Sequence, residues 1–212
     1  MARPRLLIAD DHTILVEAFR TLLGRDYDVV ATVADGRALL ERAPQVNPDV
    51  IIVDIGMPLM NGLDAGFRLK QIMPNVHLVY LTMNDDPDLA VEAMRCGASG
   101  YLLKSSAAEE LIMAIQLALK SKRYVTPLMA QGMRNAFIEN PSAIGQGKTL
   151  TPRQREVVQL LAEGKSMKQA ADILQIRERT IAFHKYRVMR RFNLGTSAEL
   201  VQFAIKSRIY VH

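Results

Sequence analysis

The sequence predicts two domains of different class: a doubly wound α/β domain with a five-stranded parallel sheet, then an all-α domain of four short helices. Three observations carry this. Five short apolar runs rich in β-branched residues alternate with amphipathic segments over the first 120 residues, the pattern of strand–helix units feeding one parallel sheet. Beyond residue 150 the strand pattern gives way to four helical segments, each with its own cap or stop signal. Charge divides at the same place: residues 1–120 hold 11 Lys plus Arg against 16 Asp plus Glu, net −5, and residues 121–212 hold 16 against 6, net +10, which gives the +5 of the whole chain.

With 49% hydrophobic residues in 212, both halves can bury a core. The basic half points to a polyanion, most often nucleic acid, with a merely basic solvated surface as the plainer alternative. The single cysteine, Cys96, excludes an internal disulfide framework and suits a reducing compartment. The apolar run at residues 6–9 is cut short by Asp10 and Asp11, so no secretory signal is read there. No stretch approaches the roughly 18 apolar residues of a membrane span. A soluble cytoplasmic protein is expected.

The strand-like runs lie at 6–9, 29–33, 50–53, 78–81 and 101–103. Between them, Ile14, Leu15, Ala18, Leu22 and Leu23, and later Leu89, Val91 and Met94, recur at helical spacing. Five such units in this length predict a flavodoxin-like domain. Its organising stretch is 49–62, DVIIVDIGMPLMNG: Val50, Ile51, Ile52 and Val53 end abruptly in Asp54, and Gly56, Pro58, Asn61 and Gly62 forbid regular structure after it. The strand therefore delivers a carboxylate to its own C-terminal edge, where the ligand crevice of an open parallel sheet lies.

The first strand ends in Asp10, Asp11 and His12. Two adjacent carboxylates facing Asp54 make an oxygen-rich pocket suited to a hard cation, Mg²⁺, held by carboxylates, a backbone carbonyl and waters. Asp11 and Asp54 are the direct-ligand candidates, the carbonyl of Gly56 the third, and Asp10 a ligand acting through water. Either Asp10 or Asp11 alone reads equally well as a helix cap. The fourth strand ends at Thr82, and the fifth carries Tyr101 and then Lys104. A Lys in a carboxylate pocket supplies a point charge suited to a phosphoryl oxygen, and a Thr hydroxyl beside it can donate to the same group. Singly, Thr82 is an ordinary strand residue and Lys104 an ordinary surface Lys; together they are specific.

After Lys120 the pattern loosens, and a helical patch at 128–138 fades into Asn140, Pro141, Ser142, Gly145 and Gly147, a linker composition. The division is thus residues 1–120, a linker over 121–148, and a second domain over 149–212. Thr151, Pro152 and Gln154 open a helix through Ala162, closed by Gly164. Ser166 with Gln169 opens a second to Leu174, a third runs from Glu178 to Phe192 and stops near Gly195, and a fourth runs from Ser197 to about Ile209. This is the outline of a helix-turn-helix DNA reader. On the third helix Ile181, Val188 and Phe192 fall within roughly 40° of one another and should pack inward. Arg179, Phe183, Tyr186 and Arg190 cluster on the opposite side, flanked by Ala182 and Arg187. Such a face makes sense against DNA, where Arg reaches guanine or phosphate and an aromatic edge meets a thymine methyl. Thr180 and Lys185 complete the candidate DNA contacts on this helix. Lys165, Lys168, Arg190 and Arg191 are phosphate candidates, and His184 a partly buried packing or phosphate residue.

Residues 1 to about 120 resemble a response-regulator receiver domain: Asp10 and Asp11, DIGMPLMNG from Asp54, Thr82, Tyr101 and the Lys104 of GYLLK fall in that family's order and spacing. The resemblance implies that Asp54 accepts a phosphoryl group from a sensor histidine kinase, with Mg²⁺ at Asp11, Asp54 and Gly56. It also implies that Thr82 and Lys104 bind the phosphoryl oxygens and that the Tyr101 rotamer follows Thr82. If Thr82 moves, Tyr101 is expected to enter from the surface, and residues 86–120 become the candidate phosphorylation-sensitive dimer face. Ser105 and Ser106 stand where receivers often place Pro after the Lys.

LTPRQREVVQLLAEGKSMKQAADIL and RTIAFHKYRVMRRFNL resemble the LuxR-type helix-turn-helix. This implies a four-helix DNA-binding domain reading promoter DNA as a homodimer, with the helix-turn-helix over about 167–186. Arg177 stands where Ser or Thr usually caps the recognition helix, with Glu178 compensating through the helix dipole, and Met167 stands where Asn is frequent. The two resemblances together imply a phosphorylation-switched transcription factor of the NarL/FixJ class, and not an enzyme. Two rivals stay in view: a DNA binder whose receiver only mediates dimerisation, and a Mg²⁺-dependent phosphohydrolase with Asp54 as nucleophile.

Overall fold

The computed structural model describes residues 2–83, 85–106, 108–139 and 150–210, with backbone alone over 135–139. It divides into two compact units, Met1–Ile144 and Gly145–His212, each described by itself.

The first unit alternates β1 (Arg5–Ala9), α1 (Thr13–Leu23), β2 (Asp28–Val33), α2 (Gly36–Val46), β3 (Val50–Asp54), α3 (Gly62–Ile72), β4 (His77–Thr82), α4 (Pro87–Arg95), β5 (Gly100–Leu103) and α5 (Ala108–Ala118). All strand pairs are parallel, in the order β2-β1-β3-β4-β5-β6. The doubly wound sheet is as expected, but it has six strands, not five. The sixth, β6 (Tyr124–Val125), is two residues long, too short to leave an alternation in the sequence. It is held because the Tyr124 and Thr126 N–H groups donate to the carbonyls of Ser99 and Tyr101. The helical patch within the expected linker is α6 (Pro127–Glu139), which packs along α4. Residues 121–139 therefore build the first unit, and the rest of the expected linker, 140–148, lies outside the described residues.

The interior strands β1, β3, β4 and β5 are apolar on both faces, and β3 is buried throughout, as covered parallel strands must be. On one face Leu6, Ile8, Val50, Ile52, Val79 and Leu81 pack with Val16 and Leu23 of α1 and with Leu111, Ala114 and Ile115 of α5. The inward stripe of α1 thus runs through Val16, Phe19 and Leu23, whereas Ile14, counted on the apolar side from spacing, is 90% exposed. Two glycines are demanded by close approach. A Cβ at Gly62 would overlap the carbonyl of Asp54, and one at Gly66 would overlap the hydroxyl of Tyr80. Leu59 supplies the left-handed residue of the turn after β3, at φ 64°.

The second unit holds α7 (Pro152–Ala162), α8 (Met167–Leu174), α9 (Glu178–Phe192) and α10 (Ser197–Lys206). Both expected capping boxes form, Thr151 with Gln154 and Ser166 with Gln169. Arg177 occupies the N-cap of α9 without a side-chain cap bond. The stop of α9 is Asn193 in the left-handed conformation at φ 55°, a role Asn fills like Gly, and not Gly195. Helix α10 ends at Lys206, three residues early, where Arg208 turns left-handed at φ 54°. The core gathers Val158, Val188, Met189, Leu200, Ala204 and Ile209, with Phe192 and Phe203 stacked on it at 4.4 Å between ring centroids.

Candidate functional site

Parallel register sets the first site. Ala9 pairs with Val53, Asp54 with Leu81 and Thr82 with Leu103, so Asp10, Asp54, Thr82 and Lys104 emerge from four strands at one edge of the sheet. Lys104 Nζ lies 2.8 Å from Asp10 Oδ2 and 2.9 Å from Asp54 Oδ2, with all three side chains at most 5% exposed. The Lys104 N–H donates to the Thr82 carbonyl at 2.7 Å, and Thr82 is buried. Asp11 is the outer carboxylate, 37% exposed. Gly56 meets Asp54 through its N–H, which donates to Oδ1 at 3.2 Å. The expected convergence of three acidic groups and one ammonium is therefore present.

His12 joins them, which spacing alone did not single out. Its Nδ1 lies 3.0 Å from Asp10 Oδ1, 3.1 Å from Asp11 Oδ1 and 3.3 Å from Lys104 Nζ. It occupies the N-cap of α1 but makes no side-chain cap bond. One ligand atom from each of Asp10, Asp11, His12 and Asp54 can be chosen so that all lie within 4.8 Å of one another. The three carboxylates of that set are hard oxygen donors that fit a small divalent cation, with the His12 nitrogen beside them.

Burial dominates the electrostatics. It raises the Asp54 pKa above the usual carboxylate value, opposed by the hydrogen bond and charge of Lys104 and reinforced by the charge of Asp10. Two buried carboxylates share one ammonium, so the pocket holds surplus negative charge that an added cation would relieve. Tyr101 is fully buried on a strand flanked by both β4 and β6. The expectation that it enters from the surface is corrected: the ring already lies inside.

In the second unit, the outward side of α9 exposes Arg179, Phe183, Tyr186, Arg187 and Arg190, with Thr180, Ala182 and Lys185 partly covered. Ile181 and Val188 are buried as expected, with Met189 beside them, while Phe192 is only half-buried. Arg187 stacks over Phe183 and Lys185 over Tyr186, each at 5.7 Å to the ring centroid. The Lys185 ammonium donates to Ser197 Oγ at 2.9 Å, tying α9 to the first turn of α10. Lys168 is exposed and Lys165 half-buried. Arg153 bridges α7 to α8, donating to Glu156 Oε2 at 2.8 Å and to the Leu174 carbonyl at 3.0 Å. His184 is half-buried, its Nδ1 without a hydrogen-bond partner. Burial lowers its pKa, helped by the charges of Arg153 and Arg187. Among the described residues, no helix is long and apolar enough to cross a membrane.

Residues 6–116 match the family described as response regulator receiver domain, and residues 148–204 the bacterial regulatory proteins of the luxR family. The chain is 32% identical to the oxygen regulatory protein NreC of Staphylococcus carnosus over 213 residues, 97% of this chain and 98% of that one. A two-component response regulator of the LuxR family from Aurantimonas superposes with a TM-score of 0.62 at 31% identity, over 65% of this chain and 99% of that chain. RcsB of Salmonella enterica serovar Typhimurium, bound to promoter rprA with the phosphomimetic BeF₃⁻, superposes at 0.61 with 25% identity, over 95% of this chain and 98% of that chain. With a receiver match over more than half its length and relatives aligned nearly end to end, the chain belongs to the response regulators that join a receiver domain to a LuxR-family DNA-binding domain.

Proposed function

We propose that Asp54 is the phosphoryl acceptor through which this transcription factor is regulated, and that a sensor histidine kinase supplies the group. The observation that carries the reading is the Lys104 ammonium seated between Asp10 and Asp54 at 2.8 and 2.9 Å. A carboxylate oxygen of Asp54 forms the new bond to phosphorus as the bond from phosphorus to the phosphohistidine nitrogen breaks. The electron pair returns to the imidazole, and the product is an acyl phosphate on Asp54. Lys104 offsets the negative charge of the transferring oxygens from within the buried pocket, where such charges act strongly.

Asp11, Asp54 and the Gly56 carbonyl would hold Mg²⁺, with Asp10 acting through water; the ion, when bound, draws off charge from the phosphoryl oxygens. Thr82 and Lys104 are the groups positioned to bind those oxygens once they arrive. The Thr82 hydroxyl gains that bond only in the phosphorylated chain, so the modification biases a local two-state arrangement. Tyr101 is buried, so its part in the switch is a change of packing inside the domain, not an entry from outside.

The second unit reads promoter DNA with α9. Phe183, Tyr186, Arg179, Arg187 and Arg190 offer base and phosphate contacts, and Lys165 and Lys168 phosphate contacts. Bound as a homodimer, the chain would take two half-sites about one helical turn apart; in keeping with this, RcsB forms dimers on DNA. Incubation with acetyl phosphate and Mg²⁺ tests the acceptor. The wild-type chain should gain the mass of one phosphoryl group and Asp54→Asn none. Undiminished labelling of Asp54→Asn would overturn the assignment.

A further inference from the structure

Two elements lie beyond the five strand–helix repeats: β6, paired with β5, and α6, packed on α4. Strand β6 pairs with β5 at Gly100↔Tyr124 and Tyr101↔Val125, so it rides on the strand that carries Tyr101 and leads to Lys104. Thr126 follows, buried, with its N–H donating to the Tyr101 carbonyl at 3.1 Å. Its hydroxyl donates to Glu110 Oε2 of α5 at 3.2 Å and lies 3.3 Å from Ser106 Oγ, two residues past Lys104.

Helix α6 then runs along α4. Gly132 lies against Pro87, the first residue of α4 and five residues beyond Thr82; a Cβ there would stand 3.1 Å from both Cβ and Cγ of Pro87. A methyl group there would need Pro87 to give by a few tenths of an ångström, and a longer side chain would need more. Yet the grip is slight: over residues 127–134 of α6, Met129 alone is buried, and Leu128 is 61% exposed. With so little apolar surface buried over residues 127–134, that stretch belongs to the low-stability end of a fold, where local opening is easy. It rests on the element whose N-terminus follows Thr82, and any displacement of α4 there must be followed by α6 or break the Gly132 contact.

We propose that α6 is a latch on α4, closed in the unmodified chain and released when Asp54 carries a phosphoryl group. This rests on Asp54 being the acceptor. It assigns α6 the task of carrying the state of the pocket outward, since in the chain α6 follows β6 and leads toward the second unit. Release also uncovers the side of α4 that α6 occupies.

Hydrogen–deuterium exchange on the full-length chain tests this. Acetyl phosphate with Mg²⁺ should speed exchange of the α6 amides by about tenfold or more in the wild type, leave Asp54→Asn unchanged, and leave β3 protected in both. Protection of α6 that is indifferent to phosphorylation of a chain whose mass proves it labelled would overturn the latch. A second arm needs no phosphoryl group. Gly132→Leu raises the intrinsic helix propensity of α6 while driving it from Pro87, so α6 should exchange fast in the unmodified protein with β3 still protected. If α6 stays as protected in Gly132→Leu as in the wild type, the Gly132–Pro87 contact does not hold it and the latch is wrong. Failure of any labelling in the wild type would sink the acceptor reading instead, with Gly132→Leu still deciding whether the latch exists.

Discussion

Asp54→Asn should make the first unit more stable at neutral pH while removing the proposed acceptor. Asp10 and Asp54 compete for the single ammonium of Lys104 at 2.8 and 2.9 Å, with all three side chains at most 5% exposed. Burial raises the Asp54 pKa above its ordinary value in spite of Lys104. A carboxyl whose folded pKa exceeds its unfolded value is destabilising when ionised. The penalty is absent below the unfolded pKa of about 3.9, grows as pH rises toward the folded pKa, and is complete only above it. Asparagine carries no charge and keeps one oxygen, which can face Lys104 or the Gly56 N–H but not both, so one of these bonds is lost; Lys104 keeps Asp10, so no buried cation is orphaned.

The expected sign without divalent cation is a gain at pH 7.5 that shrinks as pH falls toward the ordinary carboxylate range. Mg²⁺ at ten times its Kd would stabilise the wild type by about 1.4 kcal/mol through mass action, so added Mg²⁺ should close or reverse the difference. Urea titration of the full chain, followed by exchange protection of the β3 amides, reads the first unit alone. A variant less stable than wild type in EDTA at pH 7.5, or a gain that persists undiminished at low pH, would refute the claim that the pocket is short of positive charge.

Gly66→Ala should destabilise the first unit by about 1–3 kcal/mol, because the methyl group would meet the buried Tyr80 hydroxyl. Adding Tyr80→Phe should recover part of the loss, since it removes the obstructing oxygen; equal stability of the single and double variants in urea would contradict this. In the second unit, Phe183→Ala or Tyr186→Ala should relax base preference. Lys165→Ala should weaken all sequences alike and flatten the salt dependence of binding by about one. Fluorescence anisotropy on matched and mismatched duplexes across a salt series checks the division, and the same loss on every sequence for all three variants would refute it.

Much of this molecule is legible in its residues because periodicity and punctuation report local physics. The apolar runs ending in Asp10, Asp54 and Thr82 gave strand positions and the edge where side chains meet, since a parallel sheet puts all its strand ends on one side. The capping boxes at Thr151 and Ser166 gave helix starts in the second unit. What escaped depends on tertiary pairing. Two residues, Tyr124 and Val125, become a strand only because Ser99 and Tyr101 offer carbonyls to them. Tyr101 is interior, which no local signal announces. Ile14 has the spacing of a core residue yet is exposed, because the helix is rotated to bury Val16 and Leu23. His12 stands beside the carboxylates on the strength of its side-chain direction, and Asn193 ends α9 where Gly195 seemed the obvious stop.

The central claim is that the phosphoryl state of Asp54 sets the affinity of the second unit for DNA. The direct measurement is the Kd for a duplex selected from a random pool by the protein itself, at fixed salt, with and without acetyl phosphate and Mg²⁺, in the wild type and in Asp54→Asn. Coupling of ordinary size predicts an affinity change of roughly 5- to 150-fold in the wild type and none in Asp54→Asn. An identical Kd for labelled and unlabelled wild type, or an equal change in Asp54→Asn, would contradict the account.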